Sequence, residues 1–178
     1  MKKVAIGIWC AAGGALLADI HGKPLLQLTA DRAHIGGAEF RLLIPWTPSL
    51  DHLEHEVKSW RPLYPSMRCH PDKRIAMRDL VASLGADIGI IVDGSCAWID
   101  KAELHLAVAR LSLTWEEYKS DRVHGRIAET WLQAADDDEW PAAMDAEALR
   151  SFYATVSFRN EARTLKARRA SRGAAEEA

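Results

Sequence analysis

Two hydrophobic patterns alternate along the first 111 residues: short continuous apolar runs, and stretches in which apolar residues recur every three or four positions. The runs predict buried β-strands and the stripes predict amphipathic helices. The predicted strands are residues 3–10, 39–46, 66–69 and 87–93, and the predicted helices are residues 24–35, 48–60, 71–85 and 101–111. Such alternation is typical of parallel sheets with right-handed crossovers. We therefore predict an α/β fold with three layers and a mostly parallel, Rossmann-like sheet.

The pattern changes after residue 111. Residues 115–135 have helical periodicity, an acidic run at 136–139 interrupts it, and helical spacing resumes at Asp145. We expect residues 1–111 to form the core and residues 112–170 to form a helical C-terminal part packed on it. Residues 171–178 are expected to be a disordered tail.

Aromatic and basic side chains are frequent in this second part. Its aromatic residues either pack on the sheet or form a contact face between two copies, and the second interpretation predicts a homodimer through the helical C-terminal part. The aromatic residues concerned are Trp115, Tyr118, Trp131 and Trp140. The basic residues between Arg159 and Arg172 are interpreted as a solvated helix face rather than a nucleic-acid surface.

Composition limits the class of protein. The 178 residues fit one domain, and a net charge of −2 selects neither nucleic acid nor a membrane surface as a partner. No apolar run reaches the roughly 18–20 residues of a membrane span. The apolar start after Met1 resembles a signal peptide, but the glycines and polar loop that follow favour a first strand. The three cysteines are widely spaced, which indicates a reducing compartment and predicts a cytoplasmic protein.

Ligands of open α/β sheets bind at the carboxyl ends of the strands. The loop after the first predicted strand contains Gly13 and Gly14, followed by Gly22 and Lys23. Glycines let backbone N–H groups approach a phosphate, and Lys23 would neutralise its charge. A tight turn with a solvated lysine explains the same residues, so the local sequence leaves both interpretations open.

The loop after the strand at 87–93 offers a metal ligand. Asp93 ends this strand and is followed by Gly94 and Ser95. Mg²⁺ prefers one or two carboxylates together with substrate phosphates, so Asp93 is a candidate Mg²⁺ ligand. The alternative is that Asp93 only forms a turn, while Asp100 caps the next helix.

Four segments, at residues 21–33, 72–76, 84–88 and 94–100, resemble cytidylyltransferases that activate acidic sugars and the related spore-coat polysaccharide nucleotidyltransferases. Residues 21–33 (HGKPLLQLTADRA) resemble that family's N-G-K-P-M-I…E-R-A segment, and residues 72–76 (DKRIA) resemble T-D-R-I-A. Residues 84–88 (LGADI) match L-G-A-D-I, and residues 94–100 (GSCAWID) resemble G-D-C-P-L-I-D. The segments occur in the family's order and extend over roughly residues 4–110.

This resemblance implies a GT-A-like fold and binding of a nucleotide or nucleotide sugar. It also implies nucleotidyl transfer, in which a sugar hydroxyl or a carboxylate-bearing sugar attacks the α-phosphate of a nucleoside triphosphate and pyrophosphate leaves. Such chemistry depends on charge stabilisation by Lys, Arg and Mg²⁺. By analogy the catalytic residues are Lys23 and Asp93, the metal ligand is Asp93, and Arg74 contacts the base or substrate. The nucleotide-binding set is Gly13, Gly14, Gly22, Lys23, Arg74 and Ser95.

The sequence departs from the family's pattern in the first loop, at the metal-binding aspartate, and after residue 111, where the family's later strands are not visible. The family's first loop carries an arginine and a lysine that grip the triphosphate, whereas residues 11–18 here contain no basic side chain. The family's metal-binding aspartate aligns with Ser95, and Asp93 lies two residues earlier on the same side of the strand. The departures support an alternative hypothesis, a non-catalytic interaction protein with a degenerate nucleotidyltransferase fold.

Overall fold

The computed structural model describes residues 1–135 and four helical positions further on, Glu147, Arg150, Ser151 and Ala154. The chain forms two compact units, Met1–Ala143 and Met144–Ala178. The sheet and the helices that cover it belong to the first unit.

Strands and helices alternate through most of this unit. The strands are β1 Val4–Trp9, β2 Asp19–Ile20, β3 Lys23–Pro24, β4 Ala38–Pro45, β5 Ser66–Cys69, β6 Ile88–Asp93, β7 Glu117–Lys119 and β8 Val123–Ile127. The α-helices are α1 Leu25–Ala33, α2 Asp51–Lys58, α3 Lys73–Leu84 and α4 Lys101–Leu113. Short 3-10 helices occupy Gly13–Leu17, Pro48–Leu50 and Ala128–Gln133.

Six strands form one sheet in the order β5-β4-β1-β6-β8-β7. The first four are parallel, whereas β8 runs antiparallel to β6 and β7 runs antiparallel to β8. β2 and β3 form a separate two-stranded hairpin. The predicted mostly parallel α/β sheet, with β1 as a buried first strand, is confirmed.

Close packing of α3 on the sheet explains a glycine in the middle of β1. A Cβ at Gly7 would lie 2.6 Å from Cδ1 of Leu43 and 2.7 Å from Sδ of Met77. Only a residue without a side chain lets the α3 side chains approach β1 this closely. The buried core on this face also includes Trp9 and Trp131.

The prediction of a helix over residues 115–135 is wrong. Within this range β7 and β8 extend the sheet, and β8 pairs with β6 from Ile88 opposite Ile127 to Val92 opposite Val123. Without β8, the backbone groups along that edge of the buried strand β6 would have no partner, and this requirement outweighs local helical periodicity. The helical prediction beyond residue 135 and the tail at 171–178 lie outside the described residues, apart from the four helical positions.

None of the helices in the described ranges combines the length and apolar character that crossing a membrane requires.

Candidate functional site

The strand order reverses at β1 and β6, and in open α/β sheets a ligand-binding crevice is expected outside the carboxyl ends of the strands at such a point. From β1 the chain moves to β4 and β5 on one side, and it then returns to place β6 on the other side of β1. The loops after β1 and β6 therefore diverge at this point, which is where ligands bind in open α/β sheets. Trp9 and Asp93 are register partners here, and the N–H of Gly94 donates a 2.8 Å hydrogen bond to the carbonyl of Trp9.

The carboxylate of Asp93 is fixed by the residue two positions later. Ser95 donates to its Oδ1 twice, from the backbone N–H at 2.9 Å and from the hydroxyl at 2.5 Å. Ser95 is buried and Asp93 is half-buried. In the described part of the chain Oδ2 accepts no hydrogen bond, so one oxygen of a positioned carboxylate stays open to a ligand.

Gly94 lies between the backbone of β1 and the side chains of α1. A Cβ at this position would be 2.8 Å from the carbonyl oxygen of Trp9 and 3.1 Å from Cδ1 of Leu26. The hydroxyl of the fully buried Thr29 in α1 donates a 2.6 Å hydrogen bond to the carbonyl of Gly94. Sequence reasoning did not find Thr29, because its partner is 65 residues away and no local pattern connects the two.

The loop after β1 exposes backbone groups and contains no basic side chain. Gly13 has φ +62°, a left-handed conformation that favours glycine, and it begins the 3-10 helix. Leu16 anchors the loop in the core, whereas Gly14 and Ala15 are exposed. The exposed positions carry no side-chain cation, so their contribution to anion binding would come from N–H groups.

Lys23 follows a tight hairpin turn between β2 and β3. The turn residues His21 and Gly22 have φ values of 55° and 82°, as a two-residue hairpin with a type I′ turn requires. The ammonium of Lys23 pairs with Asp31 in α1, and the hydroxyl of Tyr64 donates to the same carboxylate at 2.9 Å. The hydrogen bond to Asp31 raises the pKa of Lys23 above its usual value.

The structure therefore places Lys23 and Asp93 in separate networks. Among the described residues no hydrogen bond or ion pair joins them. A phosphate that touched both would require Lys23 to exchange the Asp31 carboxylate for a phosphate oxygen.

Arg74 lies in the first turn of α3. Asp72 caps this helix by accepting the N–H of Arg74 at 2.8 Å, and its carboxylate also binds the guanidinium, with the closest contact at 2.7 Å. The guanidinium donates a further 3.3 Å hydrogen bond to the carbonyl of Ala134. The arginine holds the pKa of Asp72 below its ordinary value. These contacts hold Arg74 at the N-terminal end of α3.

Lys73 is a cation that sequence reasoning did not single out. Its ammonium lies 5.9 Å from the centre of the Trp9 ring, at the end of β1. The position follows from the fold, since the helix after β5 begins at the same edge of the sheet as the candidate crevice.

The cysteines are buried thiols rather than metal ligands. Burial, together with the nearby charge of Asp93, raises the pKa of Cys10, and burial raises the pKa values of Cys69 and Cys96 to about 12. Residues 1–135 bring no three His, Cys, Asp or Glu side chains together in a geometry that could hold a metal ion. Asp93 is therefore at most a single candidate carboxylate ligand, and such a donor suits only a metal whose other ligands come from substrate and water.

Comparison with known proteins identifies the fold. No protein-family model matches the sequence, and no curated protein matches it. Many solved structures are similar in fold, among them the following three. A cytidylyltransferase from Leptospira borgpetersenii superposes with a TM-score of 0.60 and 14% identity, over 79% of this chain and 68% of that chain. A nucleotidyl transferase from a Methanothermobacter species gives a TM-score of 0.53 and 12% identity, over 86% and 83%. A Mycobacterium tuberculosis protein solved in complex with manganese gives 0.54 and 13%, over 74% of each chain.

At these identities the similarity establishes the fold. The chain has the α/β fold of nucleotidyltransferases, and cytidylyltransferases are among the proteins that share it. The structural expectation from the short segments at residues 21–33, 72–76, 84–88 and 94–100 is thereby confirmed.

Proposed function

We propose that this protein binds a nucleotide or nucleotide sugar in the crevice between the carboxyl ends of β1 and β6. The observation that carries the proposal is the fixed carboxylate of Asp93, located where an α/β sheet of this topology accepts ligands. The fold shared with nucleotidyltransferases supports the same ligand class.

The donor set at the crevice fits Mg²⁺. This ion takes oxygen ligands and is held by one or two carboxylates plus substrate phosphates. Asp93 would hold it through Oδ2, while Ser95 keeps Oδ1 in place. Bound there, the ion would supply positive charge to the phosphates of the substrate. The manganese complex of a protein with this fold is consistent with such a site.

The chain's own residues would position the phosphates. The backbone N–H groups near Gly13 and Gly14 would face the anion, with Gly22 shaping the adjacent turn. Lys23 would bind a phosphate oxygen after leaving Asp31, and Arg74 would contact the substrate from the start of α3. In nucleotidyl transfer the oxygen of a sugar hydroxyl would bond to the α-phosphorus and lose its proton to solvent. The bond from the α-phosphorus to the bridging oxygen would break, and pyrophosphate would leave with that oxygen and the bonding electron pair.

A second candidate is a non-catalytic interaction protein of the same fold. Two observations favour it: residues 11–18 contain no basic side chain, and the ammonium of Lys23 is already paired with Asp31. Both reduce the positive charge available to a triphosphate. The predicted cytoplasmic location belongs to both candidates and stays a prediction.

A thermal-shift screen with the four common nucleoside triphosphates, each with and without Mg²⁺, distinguishes the candidates. A ligand of the native state at 100 times its Kd adds about 2.7 kcal/mol of stability, which raises Tm of a chain of this size by roughly 5–10 °C. We expect such a rise for at least one triphosphate, and only with Mg²⁺. An unchanged Tm for all four would favour the interaction protein.

The matched variants are Asp93→Asn and Asp79→Asn. The first removes the charge at the crevice and keeps the size of the side chain. The second removes a half-exposed carboxylate that pairs with Arg78 on the surface of α3. Asp93→Asn should abolish the Mg²⁺-dependent shift and Asp79→Asn should retain it, and equal shifts in both would exclude Asp93 as the metal ligand.

A further inference from the structure

The helix α4 carries apolar residues on two opposite faces. Its inner face is fully buried against the sheet and consists of Leu104, Ala107 and Leu111. Four exposed residues form a second row on the outer face, here called the outer stripe: Ala102, Leu106, Ala109 and Leu113. Leu106 is 44% exposed and Leu113 is 76% exposed. A helix that is apolar on both faces normally has a partner on each.

The spacing of the outer stripe suits another helix. Its members follow one another at intervals of four, three and four residues, the a and d spacing of a coiled-coil seam. The row alternates small and large side chains from its first member to its last. In an antiparallel pair of identical helices, Leu106 of each copy faces Ala109 of the other, and Leu113 faces Ala102. Each leucine then fills the space beside an alanine.

We propose that the outer stripe is the contact surface of a homodimer, in which the two α4 helices pair antiparallel about a two-fold axis. A second copy of the chain offers the same row of alanines and leucines, so each leucine can pack beside an alanine of the partner. The interface is isologous, because the same patch serves both partners.

Charges beside the stripe support the antiparallel arrangement. Glu103 and Arg110 lie on the same flank of the seam, and antiparallel pairing brings Glu103 of each copy next to Arg110 of the other. Both are already held in place within the chain: the hydroxyl of Ser120 donates to Glu103, and the guanidinium of Arg110 stacks 4.6 Å from the ring centre of Trp115. Ordered side chains lose little entropy on binding. A parallel pair would instead place each leucine against its own copy and His105 beside Arg110.

The length of α4 sets the expected strength. Its 13 residues span about 20 Å, and one helix face of that length buries less than the roughly 800 Å² per partner of a standard interface. We expect a dimer that dissociates on dilution, with a Kd on the order of 10 µM.

Sedimentation equilibrium of the full chain, over loading concentrations from about 1 to about 200 µM, measures this association. Wild type should shift from monomer to dimer across the range. Leu106→Glu and Leu113→Glu should each remain monomeric with an unchanged Tm, because both side chains are exposed in the monomer. Leu132→Glu is the matched control: this leucine is 52% exposed in a 3-10 helix away from the stripe, and its variant should dimerise like wild type. A wild-type monomer at every concentration, or a dimer that survives both stripe variants, would overturn the proposal.

Cross-linking tests the orientation. Chains carrying Ala102→Cys and chains carrying Leu113→Cys are mixed and oxidised. An antiparallel pair brings these two positions opposite each other, so the mixture should form a disulfide-linked dimer while neither variant alone should. A cross-link formed by Leu113→Cys alone would show a parallel pair, and no cross-link in the mixture would exclude this seam.

Discussion

The hydroxyl of Thr29 in α1 donates a 2.6 Å hydrogen bond to the carbonyl of Gly94, the residue that follows β6. This contact joins the helix after β1 to the loop after β6. The loop in turn begins at Asp93, whose carboxylate is fixed by Ser95. Through Gly94, the buried side chain of Thr29 therefore helps to hold the loop that begins at Asp93, the candidate metal ligand.

Thr29→Val should destabilise the fold. It removes the donor and leaves a buried carbonyl without its partner, which costs about 1–3 kcal/mol in the free energy of unfolding. Thr29→Ser keeps the hydroxyl and should recover part of this loss. Urea denaturation of the three proteins measures the difference, and equal stability of the valine and serine variants would contradict the role of the hydrogen bond.

Gly94→Ala should disturb the crevice itself. The added methyl group would lie 2.8 Å from the carbonyl oxygen of Trp9, a backbone atom that cannot rotate away. We expect a loss of about 1–3 kcal/mol and weaker nucleotide binding. Gly36→Ala is the control, because nothing lies within 4 Å of its Cβ position, its φ is not left-handed and it lies outside the candidate site. Similar Tm values for the two variants would show that the loop has room to shift.

The Asp72–Arg74 pair should contribute to stability in a defined pH range. The guanidinium lowers the pKa of Asp72 in the folded state. The contribution is therefore present above the unfolded pKa of about 3.9 and is lost as the pH falls through the folded pKa. Asp72→Asn keeps a capping acceptor and removes the charge, so it should cost up to about 1 kcal/mol at pH 7.

Denaturation at several pH values tests this pair. The difference between wild type and Asp72→Asn should shrink below about pH 4, where Asp72 of the wild type becomes protonated. A difference that stays constant down to pH 2 would show that the charge of Asp72 contributes nothing. Asp79→Asn removes a more exposed partner of Arg78 and serves as the comparison.

The three buried thiols should resist modification. Burial raises the pKa of each cysteine, so the reactive thiolate forms only after unfolding. At pH 8 the native protein should react with a thiol reagent more slowly than the denatured chain, by a factor on the order of 10⁴ or more. Rapid labelling of even one cysteine in the native state would contradict its burial.

The same thiols should contribute to the loss of stability at alkaline pH. Unfolded cysteines ionise near about pH 8.5, while the folded ones stay protonated. Their contribution is complete below that pH and is lost as the pH rises toward about 12, the pKa of Cys69 and Cys96 in the folded protein. The free energy of unfolding should therefore decline above about pH 8.5, less steeply in Cys96→Ala than in wild type.

Local patterns predicted the elements whose hydrophobic residues are fixed by burial. The continuous apolar run at residues 87–93 became β6, and Asp72, Gly85 and Asp100 were found where helices begin or end. Residues 115–135 were assigned wrongly, because β7 and β8 are short strands that depend on pairing: β8 pairs with β6, and β7 pairs with β8. Pairing across 30 to 40 residues leaves no signature in helical periodicity.

The candidate site shows the same division. Turn glycines such as Gly13 and Gly22 were apparent from the sequence, and both have positive φ. The pairing of Lys23 with Asp31 was not apparent, because Asp31 is eight residues further along the chain, in α1. The hydrogen bond from Tyr64 to the same carboxylate comes from a loop 33 residues away. Side-chain type identifies candidate chemistry, but only tertiary packing decides which charges meet.

The most direct test of the proposed nucleotide site is calorimetric titration with the nucleoside triphosphate that gives the largest thermal shift. In wild type the Kd should fall at least tenfold when Mg²⁺ is added, equivalent to about 1.4 kcal/mol. Asp93→Asn should bind with the same weak Kd with and without Mg²⁺, while Asp79→Asn behaves like wild type. Mg²⁺-dependent binding that persists in Asp93→Asn, or no binding by wild type at all, would contradict the account.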